Sequence, residues 1–128
     1  MEKKAILGLA LVLSAAVLAL AARSWAQDDD ALDPLRAAAG THKLAFENTF
    51  VRVLDVHVPP GGSEPRHRHP HGLSVYFTDW TVKVAPEGGA AQVHERKAGS
   101  FAWNEAVIHT VQNVGKTEGH VLRVELKF

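Results

Sequence analysis

From His42 onward, the sequence consists of short runs of β-branched and aromatic residues separated by clusters of glycine and proline. These clusters, such as Pro59-Pro60-Gly61-Gly62 and Pro86-Glu87-Gly88-Gly89, supply the turns that strand connections require. Short strands that follow one another so closely favour a compact antiparallel β-barrel or sandwich. The runs predict strands at Lys43–Phe46, Phe50–Val58, Leu73–Thr78, Thr81–Ala85, Gln92–Lys97, Ser100–Trp103, Ile108–Asn113 and Val121–Lys127.

The N-terminal residues 1–26 form a different kind of segment. Two lysines precede an apolar run from Ala5 to Ala22, and the small residues Ser24 and Ala26 stand just before Gln27. This pattern is typical of a secretory signal peptide, so we expect export to the periplasm or the medium, with no stable membrane span after processing. The alternative is a retained N-terminal membrane anchor, because an apolar run of this length can cross a bilayer.

Residues 27–41 form a lead-in between the signal peptide and the strand region. Asp33 as N-cap, Pro34 at the first helical position and Gly40 beyond the end predict a helix of about two turns. We therefore expect a signal peptide at 1–26, a short helical lead-in at 27–41 and one all-β domain at 42–128.

The charge and cysteine content exclude several classes of function. Lysine plus arginine and aspartate plus glutamate each number 14, so no excess of positive charge favours binding to nucleic acid. The chain has no cysteine, which excludes both disulfides and a thiol nucleophile. It also has no Gly-x-Ser-x-Gly motif for a serine nucleophile. Any chemistry is therefore expected to depend on a metal.

Three histidines alternate with other residues in the segment His67-Arg68-His69-Pro70-His71. In an extended strand, His67 and His69 point to the same face with Cα atoms roughly 6.6 Å apart, so their imidazoles can converge on one metal ion. Pro70 restricts the chain before His71, which is either a further ligand or a polar residue at the rim.

A third metal ligand has to come from another part of the chain. His109 lies in the apolar run Val107–Val111. A lone histidine in such a run can be a core residue that hydrogen-bonds a neighbouring carbonyl group. In combination with His67 and His69, we predict that His109 is the third ligand.

The region from about Thr41 to Phe128 resembles a small single-domain cupin. The first cupin motif is a glycine, five residues, His-x-His and then a glutamate; Gly61, His67 and His69 match its spacing. The second motif runs from a glycine to a histidine and then an asparagine, and it is matched by Gly99, His109 and Asn113. The interval from glycine to histidine is one residue short, and Glu105-Ala106-Val107 replaces the Pro-x-Gly turn.

The resemblance implies a jelly-roll barrel and a divalent transition metal held by His67, His69 and His109. Leu73 or Ser74 stands where the motif's glutamate ligand is expected, so the implied ligand set is three neutral imidazoles. Such a set suits Zn, Fe, Ni, Mn or Cu, favours a small oxygen-rich ligand, and does not distinguish among these metals. The resemblance also implies a possible homodimer.

Three further residues are candidates for a pocket or a second layer around the metal. Tyr76 and Glu105 could transfer protons near an open metal position, or be a core aromatic residue and a solvated carboxylate. Asn113 could orient a ligand, or form the turn before Gly115. The remaining histidines receive no role: His57, His94 and His120 are predicted to be exposed, and His42 only to precede the first strand.

Three classes of function fit these observations. The first is a metal-dependent enzyme of the cupin type, a dioxygenase or an isomerase acting on a small oxygen-rich molecule. The second is a non-catalytic metal or small-ligand binding protein of the cell envelope. The third is a barrel whose histidines bind nothing. A metal assay separates the third class from the other two.

Overall fold

The computed structural model describes residues 31–128, so the predicted signal peptide lies outside the described residues. Within them, helix α1 spans Pro34–Ala37. Asp33 caps it as predicted, because its carboxylate accepts a hydrogen bond of 2.9 Å from the backbone N–H of Leu35. The helix is shorter than the two turns expected. No helix within residues 31–128 is both long and apolar enough to cross a membrane.

Nine strands follow the helix, and eight of them coincide with predicted strands. The strand that the sequence pattern missed is β3, which contains Pro65 and alternates charged residues with histidines. It lies at the edge of its sheet, where a proline is tolerated. The strands are β1 His42–Glu47, β2 Val51–Val58, β3 Ser63–His69, β4 Gly72–Tyr76, β5 Trp80–Pro86, β6 Gln92–Arg96, β7 Phe101–Asn104, β8 Val107–Asn113 and β9 Gly119–Leu126.

The strands form two antiparallel sheets. One has five strands in the order β1-β2-β9-β4-β7, and the other has four in the order β3-β8-β5-β6. Every pairing between neighbours is antiparallel, which confirms the predicted all-β class. Strand β3 therefore pairs with β8 although about 40 residues separate them, and this pairing brings the two histidine segments together.

The hydrophobic core lies between the inner faces of the sheets. Strand β2 shows the expected alternation, with Leu54, Val56 and Val58 buried and the residues between them partly exposed. The other buried members of the core come from strands β4, β5, β8 and β9; they are Tyr76, Trp80, Val82, Val111 and Val121.

In the second half of strand β9, polar residues occupy the buried positions and apolar residues the partly exposed ones. Arg123 and Glu125 are buried at 5% and 1% exposure, whereas Leu122 and Val124 on the opposite face are only partly buried. Arg123 lies between Leu54 of β2 and Ser74 of β4 in the sheet register. The interior is thus apolar at one end of β9 and polar at the other.

Two glycines show why the chain needs glycine at particular positions. Gly61, in the turn before β3, has a φ of 75°, a conformation that residues with a Cβ rarely adopt. Gly119 begins β9 beneath the indole ring of Trp80, and a Cβ there would overlap that ring.

We predict that Gly119→Ala lowers the free energy of unfolding by about 1–3 kcal/mol, because Trp80 has to move within the packed core. Gly40→Ala is the control, since no atom lies within 4 Å of the added Cβ. It should leave stability unchanged or raise it by up to about 1 kcal/mol. Chemical denaturation of both variants measures this difference, and equal effects would contradict the close packing of Trp80.

Candidate metal centre

Four histidines from three strands meet inside the barrel. They are His42 at the start of β1, His67 and His69 near the end of β3, and His109 on β8. The centre of the His67 ring lies 4.8 Å from that of the His69 ring, 4.6 Å from that of His109 and 5.0 Å from that of His42. His67 is fully buried and occupies the centre of the group, which we call the histidine cluster.

Strand geometry explains how three of these side chains converge. His67 and His69 share the inner face of β3 because they are two residues apart. His109 is the direct cross-strand partner of His67, and their Nε2 atoms are 3.1 Å apart. The structure thus places all three predicted ligands together, and their binding of a metal stays a prediction.

The sequence pattern missed His42. This residue was expected only to precede the first strand, and that interpretation is wrong because His42 is the first residue of β1 and is 4% exposed. Its backbone N–H donates to the carbonyl of Ala38, so the turn after α1 directs the chain into the barrel. Ring nitrogens of His42, His67 and His69 all lie within 4.8 Å of one another, and this group could hold a metal ion.

Hydrogen bonds to the Nδ1 atoms fix the tautomers of His67 and His69. His67 Nδ1 lies 2.7 Å from the carbonyl oxygen of Pro65, and His69 Nδ1 lies 2.5 Å from a carboxylate oxygen of Glu125. Both oxygens accept, so both Nδ1 atoms carry the proton and both neutral Nε2 atoms present a lone pair.

The two Nε2 lone pairs face each other across 3.0 Å. With no donor between them they repel, and a cation in contact with both removes that repulsion. Two nitrogens bound at right angles to one ion, each at about 2.1 Å, would be about 3.0 Å apart. The spacing therefore fits two neighbouring ligands of a transition metal better than a histidine–histidine hydrogen bond.

Glu125 connects the cluster to the lead-in. Its second carboxylate oxygen accepts a hydrogen bond of 2.6 Å from Arg52, which also contacts Asp33 at 2.5 Å. Burial acts to lower the pKa of Arg52, but these hydrogen bonds outweigh it and the pKa is raised. Because Asp33 also caps α1, the helix and the ring of His69 belong to one hydrogen-bonded network.

Glu64 is a second residue that the sequence pattern missed. It lies three residues before His67, and in a regular strand an odd spacing puts two side chains on opposite faces. The β3–β8 register is irregular between these two residues, and as a result both side chains are inside the barrel. Its carboxylate oxygens lie 3.6 Å from His42 Nδ1 and 3.8 Å from His67 Nε2. Burial raises its pKa to about 7.

Burial keeps the histidine cluster neutral at physiological pH. Burial and, to a smaller extent, the neighbouring imidazoles together lower the pKa of His42 and of His109 to about 3. Burial also lowers the pKa of His67 and of His69. The neutral imidazole is the form that binds metals, so the cluster needs no deprotonation near pH 7.

A cavity of about 460 Å³ adjoins the cluster, and His69, His109 and Glu64 contribute to its wall. Tyr76 is buried in the same wall. Glu105 also lines the cavity, and its exposed carboxylate accepts a hydrogen bond of 2.7 Å from Trp103. The cavity therefore gives a small molecule access to the cluster.

Two other candidates lie away from this wall. Asn113 is fully buried, but its amide donates to the carbonyls of Val58 and Thr117 and accepts from Gly115, which matches the turn-forming alternative. His71 stacks on Trp103 with ring centres 5.8 Å apart, and it does not line the cavity.

The histidines that were expected to be exposed are all partly buried. His57 and His120 pair across β2 and β9, and their rings stack at 4.0 Å. Asp55 lies 2.8 Å from His120 and 3.3 Å from His57, so these three residues form a second group that could hold a metal ion, which we call the outer cluster. His94 lines the cavity.

The fold matches solved cupin structures. A cupin domain protein from Bordetella pertussis Tohama I shares 26% sequence identity, with a TM-score of 0.63, over 68% of this chain and 92% of that one. An RmlC-like cupin family protein with a double-stranded β-helix fold, from Methanocaldococcus jannaschii, shares 15% identity with a TM-score of 0.55, over 66% of this chain and 77% of that one.

No protein-family model matches the sequence, and no curated protein matches it. The structural matches nevertheless confirm the predicted resemblance: the chain has the cupin fold, a jelly roll or double-stranded β-helix.

We predict that the metal-free protein loses stability as the pH falls from 7 to 4. Each histidine with a lowered pKa binds its proton only after unfolding, which costs about 1.4 kcal/mol of stability for each pH unit below 6.5. Glu64 raises the stability as the pH falls from about 7 to 4.5, because in this range the folded state binds a proton that the unfolded state does not. The histidines outnumber it, and the decline should be steepest below 4.5.

Urea unfolding at a series of pH values, with a chelator present, measures this dependence. His42→Gln should make the decline shallower, because it removes one of the buried imidazoles. A metal-free protein that becomes more stable between pH 6 and 4 would contradict the neutral state of the cluster.

Proposed function

We propose that this cupin-fold chain binds one divalent transition metal ion through His67, His69 and His109, and uses it as an enzyme on a small oxygen-rich molecule. The observation that carries the proposal is the convergence of Nε2 lone pairs, which Pro65 and Glu125 fix in position. His42 offers a further nitrogen to an ion held by His67 and His69, because the ring nitrogens of these three residues lie within 4.8 Å of one another.

The donor set restricts the metal. Neutral imidazoles suit Zn, Fe, Ni, Mn or Cu better than Mg or Ca, which prefer oxygen ligands. When bound, such an ion supplies a Lewis acid, and its charge is left uncompensated by the neutral ligands, so that it attracts an oxygen donor.

The protein's own residues supply the rest of the proposed site. The mostly apolar cavity wall holds the substrate beside the cluster. Glu64 presents one carboxylate oxygen that has no hydrogen-bond partner, in a position to accept or return a substrate proton. Tyr76 lines the same wall as a second group able to donate a hydrogen bond.

A dioxygenase and an isomerase both fit this arrangement. The second candidate function is a non-catalytic metal or small-ligand binding protein of the cell envelope, which would use the same histidines without turnover. The cavity and the buried carboxylate of Glu64 favour the enzyme. Export and pairing into a homodimer remain parts of the proposal that rest on the sequence pattern and the cupin resemblance.

We predict one tightly bound metal ion for each chain of the mature protein purified without a histidine tag. Elemental analysis should show that His69→Ala and His109→Ala lose this metal. Glu125→Gln should weaken binding by about 10–100-fold, because the His69 ring loses the carboxylate that orients it.

The control for metal content removes the outer cluster by the paired changes His57→Ala and His120→Ala. These residues lie on the opposite face of the sheet, so the tightly bound metal should remain. Loss of metal in this control, with retention in His69→Ala, would contradict the proposed site.

We also predict that Glu64→Gln keeps the metal and loses turnover by about a hundredfold or more, because it can no longer accept a proton. Oxygen uptake and product analysis with catechols, flavonols and diketones measure the rates. Turnover equal to that of the unaltered protein would contradict the role of Glu64. An unaltered, metal-loaded protein that transforms none of these compounds would favour the binding protein.

A further inference from the structure

Buried polar atoms without hydrogen-bond partners are concentrated around the cavity. Within residues 31–128, four such side-chain atoms occur, and they belong to Glu64, Trp80, Arg96 and Arg123. All four residues line the same cavity of about 460 Å³. Because buried polar groups in folded proteins are nearly always satisfied by protein, water or a ligand, their collection in one place marks where water or a polar ligand completes the hydrogen bonds.

Arg123 is the most informative of the four. It is only 5% exposed, and it donates to the carbonyl of Pro70 at 2.6 Å and to the hydroxyl of Ser74 at 3.3 Å. Its Nε–H has no partner, and no carboxylate of the described residues forms an ion pair with it. Glu125, two residues along β9, attracts this charge without a direct ion pair, but its carboxylate already bonds Arg52 and His69. An anion brought into the cavity would therefore stabilise the buried guanidinium.

Arg52 differs from Arg123 in having carboxylate partners within the protein. Arg52 lies on the neighbouring strand and is also mostly buried, but it has two carboxylate partners, Asp33 and Glu125. Arg52 is thus neutralised by direct ion pairs within the protein, whereas Arg123 faces the cavity without one.

Arg96 adds a second positive charge to the cavity wall. Its guanidinium lies 5.2 Å from the ring centre of Tyr76, and its Nε–H also lacks a partner. Among the described residues, no carboxylate forms an ion pair with Arg96. Two carboxylates also line the cavity, but that of Glu105 bonds Trp103 and that of Glu64 lies beside His42 and His67. The two guanidinium groups therefore give the part of the cavity around them a preference for a negatively charged ligand.

The remaining wall is mostly apolar, which restricts the rest of the ligand. The side chains of Val56, Val82, Val84, Val111 and Val121 face the same space, together with the ring of Trp80. A small molecule with an apolar body fits this wall better than a heavily hydrated anion.

We propose that the cavity binds a small organic acid with an apolar body, whose carboxylate pairs with Arg123 while a second oxygen faces the histidine cluster. His69, His109 and Arg123 line one continuous cavity, so a single ligand can reach both. Arg123 also lies two residues from Glu125 on the inner face of β9, and Glu125 hydrogen-bonds His69. The contact between the ligand's second oxygen and the histidine cluster rests on the proposed function, but the pairing of its carboxylate with Arg123 does not.

The test compares salicylate with salicylamide, its uncharged counterpart of nearly the same shape. Calorimetric titration at fixed ionic strength gives the affinity of each probe for the metal-loaded protein and for the chelator-treated protein. We expect salicylate to bind at least tenfold more tightly than salicylamide in both forms, because the Arg123 contact does not require the metal.

Four variants locate the source of this preference. Arg123→Met should reduce it at least tenfold, and Arg123→Lys should restore part of it, since a lysine keeps the charge but not the planar fork. Arg96→Met should reduce it less. Arg36→Met, which removes an exposed arginine of α1, is the matched control and should change nothing.

Equal affinities of the unaltered, chelator-treated protein for the two probes would overturn the proposal, and this comparison holds even if Arg123→Met fails to fold. Tighter binding of inorganic phosphate than of salicylate would also overturn the assignment to a carboxylate. A preference for salicylate that persists in a protein unable to bind metal would support the Arg123 contact while refuting the proposed metal site. The two proposals therefore fail separately.

Discussion

The hydrogen bond between His69 and Glu125 is the interaction on which the site depends. It places the proton on Nδ1 of His69, so the Nε2 lone pair points at His67. Glu125 is itself held by Arg52, and Arg52 by the residue that caps α1. A short helix outside the barrel thereby stabilises the orientation of a ring inside it. The same helix is followed by the turn that brings His42 into the interior.

The interior of the barrel combines two environments that make opposite demands. The valine-rich end of the core supplies the hydrophobic stabilisation of a small domain without disulfides. The other end buries histidines, two glutamates and Arg123, which lowers stability unless each group has a partner. Internal hydrogen bonds satisfy Glu125, while Glu64 and Arg123 each keep a buried atom without one. The unsatisfied groups lie where a metal and an organic acid would complete the network.

Local sequence patterns predicted most of the framework because strand structure has a local cause. Alternation with a period of two, together with glycine and proline at the turns, located eight of the nine strands. The same alternation put His67 and His69 on one face. The cupin resemblance supplied the long-range information that His109 comes near them, and the β3–β8 pairing accounts for it.

The sequence alone therefore determined the fold class, most of the strands and the common face of His67 and His69. Only the tertiary structure decided that His42 belongs to the cluster, because its position depends on the turn after α1. A register irregularity brings Glu64 inside, against its parity with His67. Arg123 and Glu125 are buried because they share the inner face of β9 with Val121, and Arg123 lines the cavity from that face. A local pattern predicts which residues share a face of a strand, but the packing of the other strands determines which face is buried.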